Sequence, residues 1–184
     1  MSDNEVLIIF GTETGNAEAL ADDAKGFAKD YGLEGNVVDM EDITVEEISE
    51  AKLLLICVST WGEGDQPTNA EDLYEEVCES EDGCMSDVNF AVLALGDTAY
   101  EFFCESGKQW DTRFAELGGS RLVDRVDCDV DYEVPAEEWM NGAMPNLAGV
   151  DGDGNFMPDL VDDMVSYASG NEESGRENHN ANRI

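Results

Sequence analysis

Residues 10–16 read F-G-T-E-T-G-N, and they connect an apolar run directly to a helical pattern. The run from Val6 to Phe10 predicts a buried strand, and the apolar residues from Ala17 to Tyr31 recur at the spacing of an amphipathic helix. Gly32 is a typical stop signal for that helix. A loop of this kind presents free backbone N–H groups and hydroxyls at the helix start. Together these groups favour an anion, most often a phosphate.

The loop lacks the signatures of the common nucleotide-binding turns. It contains neither G-x-x-x-x-G-K-[ST], the pattern of P-loop nucleotide triphosphatases, nor G-x-G-x-x-G, the dinucleotide-binding fingerprint. No Lys or Arg lies between residues 10 and 16, so a phosphate would be held by backbone dipoles and by the hydroxyls of Thr12 and Thr14. Taken alone, the loop is equally compatible with a plain strand-to-helix turn.

The charge of the chain is strongly unbalanced. Its 184 residues, a length typical of one domain, include 44 Asp and Glu but only 9 Lys and Arg, for a formal net charge of −35. This charge argues against nucleic acid and anionic membranes as partners. Steering toward a basic protein partner and adaptation to a high-salt cytoplasm both explain it. The acid is spread along the whole chain (41–50, 71–82, 127–138, 151–163), which favours salt adaptation, with partner docking as an added use.

The start of the chain and its cysteines carry no targeting or metal signal. The segment M-S-D-N-E is acidic and the following apolar run is short, so we expect neither a signal peptide nor a membrane-spanning helix. We therefore expect a soluble, cytoplasmic monomer. The five cysteines show no C-x-x-C pair and no spacing typical of zinc or iron–sulfur sites, so we expect free thiols and no metal site.

Strand-like and helix-like segments alternate along the chain, which predicts a parallel sheet with helices on both faces. The predicted strands are 6–10, 36–39, 52–59, 89–95 and 121–126. The predicted helices are 17–31, 44–50, 70–80, a segment that contains Trp110, Phe114 and Leu117, and a segment that Pro135 opens. We place Cys78 on the apolar side of helix 70–80, and we expect Asn141-Gly142 and Pro145 to interrupt the last helix.

Three loops with unusual chemistry, 11–16, 60–65 and 96–102, each follow a predicted strand. They should meet at the carboxyl edge of the sheet, where ligands of such sheets bind. Trp61 and Tyr100 lie on two of these loops and could sandwich a flat ring system, although either could also be an ordinary packing or surface aromatic. A flat ring at one end of a site and a monophosphate at the other describe FMN.

The same loops carry a family resemblance. The segments T-E-T-G-N-A-E, S-T-W-G-E-G-D and L-G-D-T-A-Y-E-F-F-C resemble flavodoxins of the short-chain kind, and most closely the FMN domains of diflavin reductases such as sulfite reductase flavoproteins. The resemblance covers residues 5 to about 140. The sequence departs from the diflavin reductases in its acidity, in Trp61, where those enzymes more often carry Tyr, and in ending near residue 184, before any FAD or NADPH domain.

The resemblance implies a flavodoxin-like, doubly wound, five-stranded parallel sheet of order 2-1-3-4-5, with an FMN-binding domain over residues 1–148. It also implies the positions that bind the cofactor. For the phosphate these are Thr12, Glu13, Thr14, Gly15 and Asn16. For one side of the isoalloxazine they are Ser59, Thr60, Trp61, Gly62 and Gly64. For the other side they are Leu95, Gly96, Asp97, Tyr100, Phe103 and Cys104, with Asp129 closing the site.

The function that the resemblance implies is one-electron transfer through the flavin semiquinone and hydroquinone, without catalytic residues. The peptide at Gly62 can turn its carbonyl toward the flavin, and acidic neighbours should lower the potential. Partners would be a donor reductase and an acceptor enzyme that dock at the acidic flavin edge. The alternative is the FMN-carrying subunit of a split NAD(P)H-dependent reductase. A receiver domain is set aside, because Gly11-Thr12 and Ser59 stand where it needs carboxylates.

Residues 149–184 are expected to form an acidic C-terminal extension. Residues 151–162 partly match a calcium loop of the EF-hand type, but Phe156, Pro158 and Asp162 depart from that pattern, so a solvated turn is favoured. A short amphipathic helix should start at Pro158. Residues 170–184 are polar, without periodicity, and are expected to be disordered, so His179 is not a candidate for catalysis.

Overall fold

A parallel sheet between two layers of helices forms the molecule, as seen in a computed structural model that describes residues 4–170. The strands are β1 (Glu5–Gly11), β2 (Glu34–Asp39), β3 (Leu53–Ser59), β4 (Asn89–Leu95), β5 (Ser120–Arg121) and β6 (Val126–Cys128). The α-helices are α1 (Asn16–Asp30), α2 (Val45–Ser49), α3 (Glu71–Glu79), α4 (Glu105–Glu116), α5 (Glu133–Ala148) and α6 (Pro158–Ala168), and single 3₁₀ turns occupy Met40–Asp42 and Thr68–Ala70.

The strands follow the order β2-β1-β3-β4-β5, and β6 also pairs with β4. All pairs are parallel, with Ile8 opposite Leu55 and Leu55 opposite Ala91 in the centre of the sheet. The doubly wound order predicted from the sequence is therefore confirmed. Because the strands are parallel, the loops that follow β1, β3, β4 and β6 lie at one edge of the sheet.

The sheet separates two apolar layers. Ile8 and Leu55 point into the layer that contains α1, α5 and α6, whereas Ile9 and Ile56 point into the layer that contains α3 and α4. The long apolar runs of β3 and β4 are buried on both faces, which is why they lack the alternation of a half-exposed strand. This rigid base positions the loops at the carboxyl edge.

The fifth strand differs from the prediction because it is divided. Instead of one strand over 121–126, the short strands β5 and β6 both pair with β4, and residues 122–125 lie between them. The division lets two guanidinium groups reach one buried carboxylate on α4. Arg121 Nε lies 2.6 Å from Asp111 Oδ1, and Arg125 Nη1 lies 2.8 Å from Asp111 Oδ2. Arg125 also binds Asp127 at 2.6 Å.

The expected interruption of the last helix is wrong. Helix α5 continues to Ala148 through Asn141, Gly142 and Pro145. A proline inside a helix removes its own N–H donor and crowds the carbonyl four residues earlier, and the apolar face of α5 outweighs this cost by packing on the core through Met140, Met144 and Leu147. The side chain of Asn146 also donates to the carbonyl of Gly142, at 2.8 Å.

Helix α3 shows a smaller difference. Leu73 and Val77 are buried on its inner face and Tyr74 is half-buried, but Cys78 is exposed rather than apolar-facing as predicted. Leu73 and Val77 are four residues apart and therefore lie on the same face of the helix. Cys78 directly follows Val77, so its side chain points away from that buried face. Its thiol therefore meets solvent.

The C-terminal part packs onto the same core. Helix α6 has the predicted start at Pro158, and its Leu160 and Met164 are buried together with Val150 against α1 and α5. At the sheet edge opposite the loops, Lys52 Nζ donates to the carbonyl of Gly152, and Asn89 Nδ2 donates to that of Gly154 at 3.0 Å. Residues 170–184 were expected to be disordered, but all of them after residue 170, His179 included, lie outside the described residues.

The segment that partly matches a calcium loop is a closed turn. The carboxylate of Asp151 is buried and accepts hydrogen bonds from the N–H groups of Asp153 (3.0 Å) and Asn155 (2.9 Å). Within residues 4–170 no group of three or more His, Cys, Asp or Glu side chains is arranged to hold a metal ion. No helix in this part of the chain is long and apolar enough to span a membrane.

Candidate functional site

A cavity of about 560 Å³ opens at the carboxyl edge of the sheet. This volume lies within the usual range for small-molecule and cofactor sites. Its walls come from the loops that follow β1, β3, β4 and β6. They are formed by Glu13, Thr14, Asn16, Ser59, Thr60, Trp61, Gly62, Leu95, Gly96, Asp97, Tyr100, Phe102, Val130 and Tyr132.

The loop after β1 is shaped to receive an anion. Gly15 has φ 86°, a left-handed conformation that a residue with a side chain rarely adopts, and its N–H donates to Thr12 Oγ1 at 3.0 Å. None of the hydrogen bonds found in residues 4–170 uses the N–H groups of Thr14 or Asn16. These donors lie at the start of α1, where the helix dipole also favours negative charge. The loop therefore fits a phosphate.

The segment 68–69 holds this loop from behind. Thr12 N–H donates to Asn69 Oδ1 at 2.8 Å, and Asn69 Nδ2 donates to Asp39 Oδ1 at 2.8 Å. Thr68 N–H donates to Glu13 Oε1 at 2.5 Å. Hydrogen bonds from the side chain and backbone of Thr68 hold the pKa of Glu13 below its ordinary value. The carboxylate of Glu13 thus supports the loop although it carries the same charge sign as a phosphate.

The loop after β3 forms a tight turn around Trp61. Trp61 and Asp65 exchange two backbone hydrogen bonds, of 3.0 and 2.8 Å, which close the turn. Gly62 has φ 52°, and a Cβ at this position would lie 3.1 Å from the Asp65 carboxylate. The Trp61 side chain is 52% exposed and lines the cavity.

The loop after β4 carries Tyr100 and is braced by two aspartates. Asp97 Oδ1 accepts from Ala99 N–H at 2.8 Å. Asp129 accepts from the N–H of Thr98 at 3.1 Å and from its hydroxyl at 2.5 Å, and these bonds from the side chain and backbone lower the pKa of Asp129. Tyr100 is 63% exposed at the cavity. In the described part of the chain, neither Tyr100 nor Trp61 packs against another aromatic ring, and both line the cavity with more than half of their surface exposed.

The cavity gathers most of the residues proposed from the sequence. The proposed residues on its wall are Glu13, Thr14, Asn16, Ser59, Thr60, Trp61, Gly62, Leu95, Gly96, Asp97 and Tyr100. Those that do not line the cavity are Thr12, Gly15, Gly64, Phe103, Cys104 and Asp129. Of these, Gly64 is buried against Phe102, and Cys104 is buried where α4 begins. Their roles toward a cofactor stay predictions.

Three wall residues were missed by the sequence reasoning, namely Phe102, Val130 and Tyr132. Phe102 directly precedes Phe103, which was proposed from the sequence, but it is Phe102 that lines the cavity. Val130 and Tyr132 lie on the loop after β6. The rule that ligands bind at the carboxyl ends of strands points to this fourth loop, but the loop has no glycine or aromatic pattern of its own beyond Tyr132.

The thiols near the site are suited to packing rather than to chemistry. Burial raises the pKa of the Cys104 thiol to about 12 and that of Cys128 to about 11. Such thiols stay protonated at neutral pH and are weak nucleophiles. The cavity wall contains no Lys or Arg, so a bound anion would be held by backbone and hydroxyl groups.

Comparisons with known sequences identify relatives of this arrangement. A family model described as flavodoxin matches residues 8–140. The sulfite reductase [NADPH] flavoprotein alpha-component of Bacillus subtilis (strain 168) is 43% identical over 143 residues, which are 78% of this chain and 24% of that protein. The protein of the same name from Vibrio parahaemolyticus is 38% identical over 151 residues, 82% of this chain and 24% of that protein. The chain thus spans about a quarter of the length of these relatives.

Solved structures with the same fold are flavodoxins of similar size. A flavodoxin of Streptococcus pneumoniae TIGR4 superposes with a TM-score of 0.71 at 26% identity, over 78% of this chain and 97% of that one. A cysteine-to-alanine mutant of flavodoxin from Pseudomonas aeruginosa has a TM-score of 0.68 at 26% identity, over 76% of this chain and 96% of that one. With the matched family model, the relatives and the fold in agreement, this chain belongs to the flavodoxin family.

Proposed function

We propose that this protein binds FMN and transfers electrons one at a time between a donor reductase and an acceptor enzyme. The observation that carries the proposal is the composition of one cavity. Unused N–H groups at a helix start form one end, and two exposed aromatic rings on opposite loops form the other. Membership of the flavodoxin family supports the same cofactor and the same function.

The residues of the cavity suggest how the parts of FMN would be held. The N–H groups of Thr14 and Asn16, with the Thr14 hydroxyl, would bind the phosphate. Trp61 and Tyr100 would enclose the ring system and exclude water from its faces. FMN, when bound, supplies the redox chemistry. The protein orients the ring, and the carboxylate of Asp97 on the cavity wall makes added negative charge there costlier.

Electron transfer suits this site better than chemistry on a substrate. The described residues contain no histidine, and the thiol of Cys104, at the start of α4, is buried with a raised pKa. The cavity wall, as formed by residues 13–132, contains no histidine, cysteine or lysine, the side chains that most often act as general base or nucleophile near neutral pH. The protein is therefore proposed as a carrier rather than as an enzyme in its own right.

A second candidate function is that of the FMN-carrying subunit of a split NAD(P)H-dependent reductase. The similarity to sulfite reductase flavoprotein alpha-components, of which this chain matches about a quarter, favours this candidate. A stable complex with a separate flavin reductase after purification would support the subunit. A monomer that several reductases can reduce would support the free carrier.

The surface around the cavity suggests the chemistry of the partners. Glu63, Asp65 and Glu101 are exposed there, and so are the apolar side chains of Phe102 and Val130. Basic partner surfaces with an apolar centre would complement this rim. We propose that the remaining excess of acid reflects adaptation to a high-salt cytoplasm, because it extends far from the cavity.

We also propose a division of the chain into an FMN-binding domain, residues 1–148, and a C-terminal extension, residues 149–184. Within the described part, no residue beyond Tyr132 lines the cavity. Helix α6 instead packs on α1 and α5 through Leu160 and Met164, so the extension would support the fold rather than the site.

Titration of the cofactor-free protein with FMN, in molar potassium chloride, tests the proposal. Stacking on Trp61 and Tyr100 should quench the flavin fluorescence. Riboflavin, which lacks the phosphate, is the matched ligand and should bind at least about tenfold more weakly, because hydrogen bonds to a charged group contribute about 1.5–3 kcal/mol. Absence of FMN binding would contradict the proposed function. Equal affinity for both ligands would contradict the phosphate site at residues 12–16.

A further inference from the structure

A buried amide lies directly behind the Trp61 turn. Gln66 is 8% exposed, and its Oε1 accepts two hydrogen bonds, from Ser106 Oγ at 2.6 Å and from Trp110 Nε1 at 2.8 Å. Its Nε2 donates to Gln109 Oε1 at 2.8 Å. We call these four residues the Gln66 cluster. None of them lines the cavity, so direct contact with a cofactor does not explain the cluster.

The cluster ties both ends of the Trp61 turn to the first turns of α4. At the start of the turn, Thr60 Oγ1 accepts from Ser106 N–H at 3.1 Å. At its end, Gln66 accepts from the hydroxyl of the same serine. Ser106 is fully buried, so solvent cannot replace these partners. The turn is therefore clamped to α4 at both ends.

Helix α4 is anchored in the core through its buried aromatic side chains. Trp110 is fully buried, and its ring centroid lies 5.1 Å from that of Tyr74 and 5.7 Å from that of Phe114. The helix begins immediately after the loop that carries Tyr100, with Cys104 as its N-cap. The Trp61 turn and the Tyr100 loop are thus both attached to the same end of α4.

We propose that Gln66 is a positioning residue that sets the Trp61 turn against the Tyr100 loop, so that the gap between the two rings is fixed before the cofactor enters. A preformed gap avoids the entropy cost of ordering the turn when FMN binds. The inference rests on the proposed function, because it concerns the ring end of the same cavity. The inference adds Gln66 to the residues on which the site depends, although Gln66 does not line the cavity.

Two variants of Gln66 separate positioning from simple packing. Gln66→Met keeps the length of the side chain but offers no strong acceptor to Ser106 and Trp110. Gln66→Glu keeps both acceptor bonds in either protonation state, and the amide of Gln109 can rotate to remain a partner. Binding of FMN should weaken by at least about tenfold in Gln66→Met, which corresponds to about 1.4 kcal/mol, and should remain near the wild-type value in Gln66→Glu.

Amide hydrogen exchange of the cofactor-free protein gives a readout that needs no flavin. Residues 61–66 should exchange faster in Gln66→Met, whereas residues 12–16 should keep their wild-type rate. Asp111→Asn is the matched control, since Asp111 is buried on the same helix but contacts the fifth strand instead of the turn. At equal loss of stability, the control should keep its affinity for FMN.

The possible outcomes are distinct. Failure of the wild type to bind FMN overturns the proposed function, whatever the variants do. Wild-type binding with unchanged affinity and exchange in Gln66→Met overturns the positioning role. Equal weakening in Gln66→Met and Asp111→Asn assigns the effect to global stability and also overturns it. Selective weakening in Gln66→Met, restored in Gln66→Glu, supports the inference.

Discussion

At the scale of single residues, Asn69 supports the phosphate end of the site in the way that Gln66 supports the ring end. Its side chain accepts from Thr12 N–H and donates to the Asp39 carboxylate, both at 2.8 Å. It is half-buried and does not line the cavity. One amide thus fixes the end of β1 to the end of β2.

Removal of this amide should weaken the phosphate end selectively. We expect Asn69→Ala to lower the affinity for FMN by about five- to tenfold, because the loop loses the hydrogen bond that orients its first N–H, and a hydrogen bond of this kind contributes about 1–1.4 kcal/mol. The measurement is a fluorescence titration of both proteins. Riboflavin is the internal control, and an equal loss of affinity for riboflavin would show that the effect is not confined to the phosphate.

The sequence could identify most residues of the cavity wall but not Gln66 and Asn69, the two amides that hold its loops. Trp61 and Tyr100 are recognisable because aromatic residues on glycine-rich loops after strands are rarely accidental together. Gln66 and Asn69 carry no such signal, since an amide in a loop is usually solvated. Their roles depend on contacts 40 and 57 positions away along the chain, to Ser106 and Thr12. Only the folded chain brings those partners together.

At the scale of elements, the divided fifth strand depends on the carboxylate of Asp111. Its side chain is 9% exposed and bridges Arg121 and Arg125, whose side chains are 35% and 20% exposed. One carboxylate thus pairs with two guanidinium groups, one in β5 and one directly before β6. Between the two short strands, Leu122 N–H still donates to the carbonyl of Phe90 at 3.0 Å, and the arginines at 121 and 125 bind Asp111.

Loss of the Asp111 charge should destabilise this edge of the sheet. We expect Asp111→Asn to reduce the free energy of unfolding by about 2–3 kcal/mol, which is at or just below the usual range of about 3–5 kcal/mol for broken buried ion pairs, because the guanidinium groups keep some contact with water. Urea unfolding at constant high salt is the measurement. Asp72→Asn, an exposed acid at the start of α3, should change stability by less than about 0.5 kcal/mol. Equal values for both variants would contradict the prediction.

The elements that the sequence predicted well are those that local pattern determines. Strand β4 has the predicted bounds, Asn89–Leu95, and α6 begins at Pro158 as expected. The two largest differences from the prediction are of another kind. In α5, burial of one apolar face overrides Pro145, and in the fifth strand an ion network overrides strand propensity. Both differences depend on contacts with distant parts of the chain, which the local sequence pattern cannot predict.

At the scale of the whole molecule, the net charge of −35 should make stability depend on salt. The screening length falls from about 10 Å at 0.1 M to about 3 Å at 1 M, so added salt removes most of the repulsion between exposed carboxylates. The ion pairs of Asp111 are buried and are screened less.

We therefore expect the melting temperature to rise as potassium chloride is increased from about 0.1 to about 2 M. Circular dichroism in both the cofactor-free and the FMN-loaded protein measures the change, and sucrose at matched osmolarity controls for exclusion of solutes from the surface. A melting temperature that stays constant or falls with salt would contradict adaptation to high salt. It would leave partner docking as the explanation of the charge.

The contacts at the sheet edge opposite the cavity have a consequence for the order in which the protein forms during synthesis. Lys52 meets Gly152, 100 positions later in the chain, and Asn89 meets Gly154, 65 positions later. The last residue on the cavity wall, by contrast, is Tyr132. During synthesis, every residue of the cavity wall therefore leaves the ribosome before the turn at residues 152–154, which covers the opposite edge of the sheet. The contacts of Gly152 and Gly154 therefore form only after every residue of the cavity wall has been synthesised.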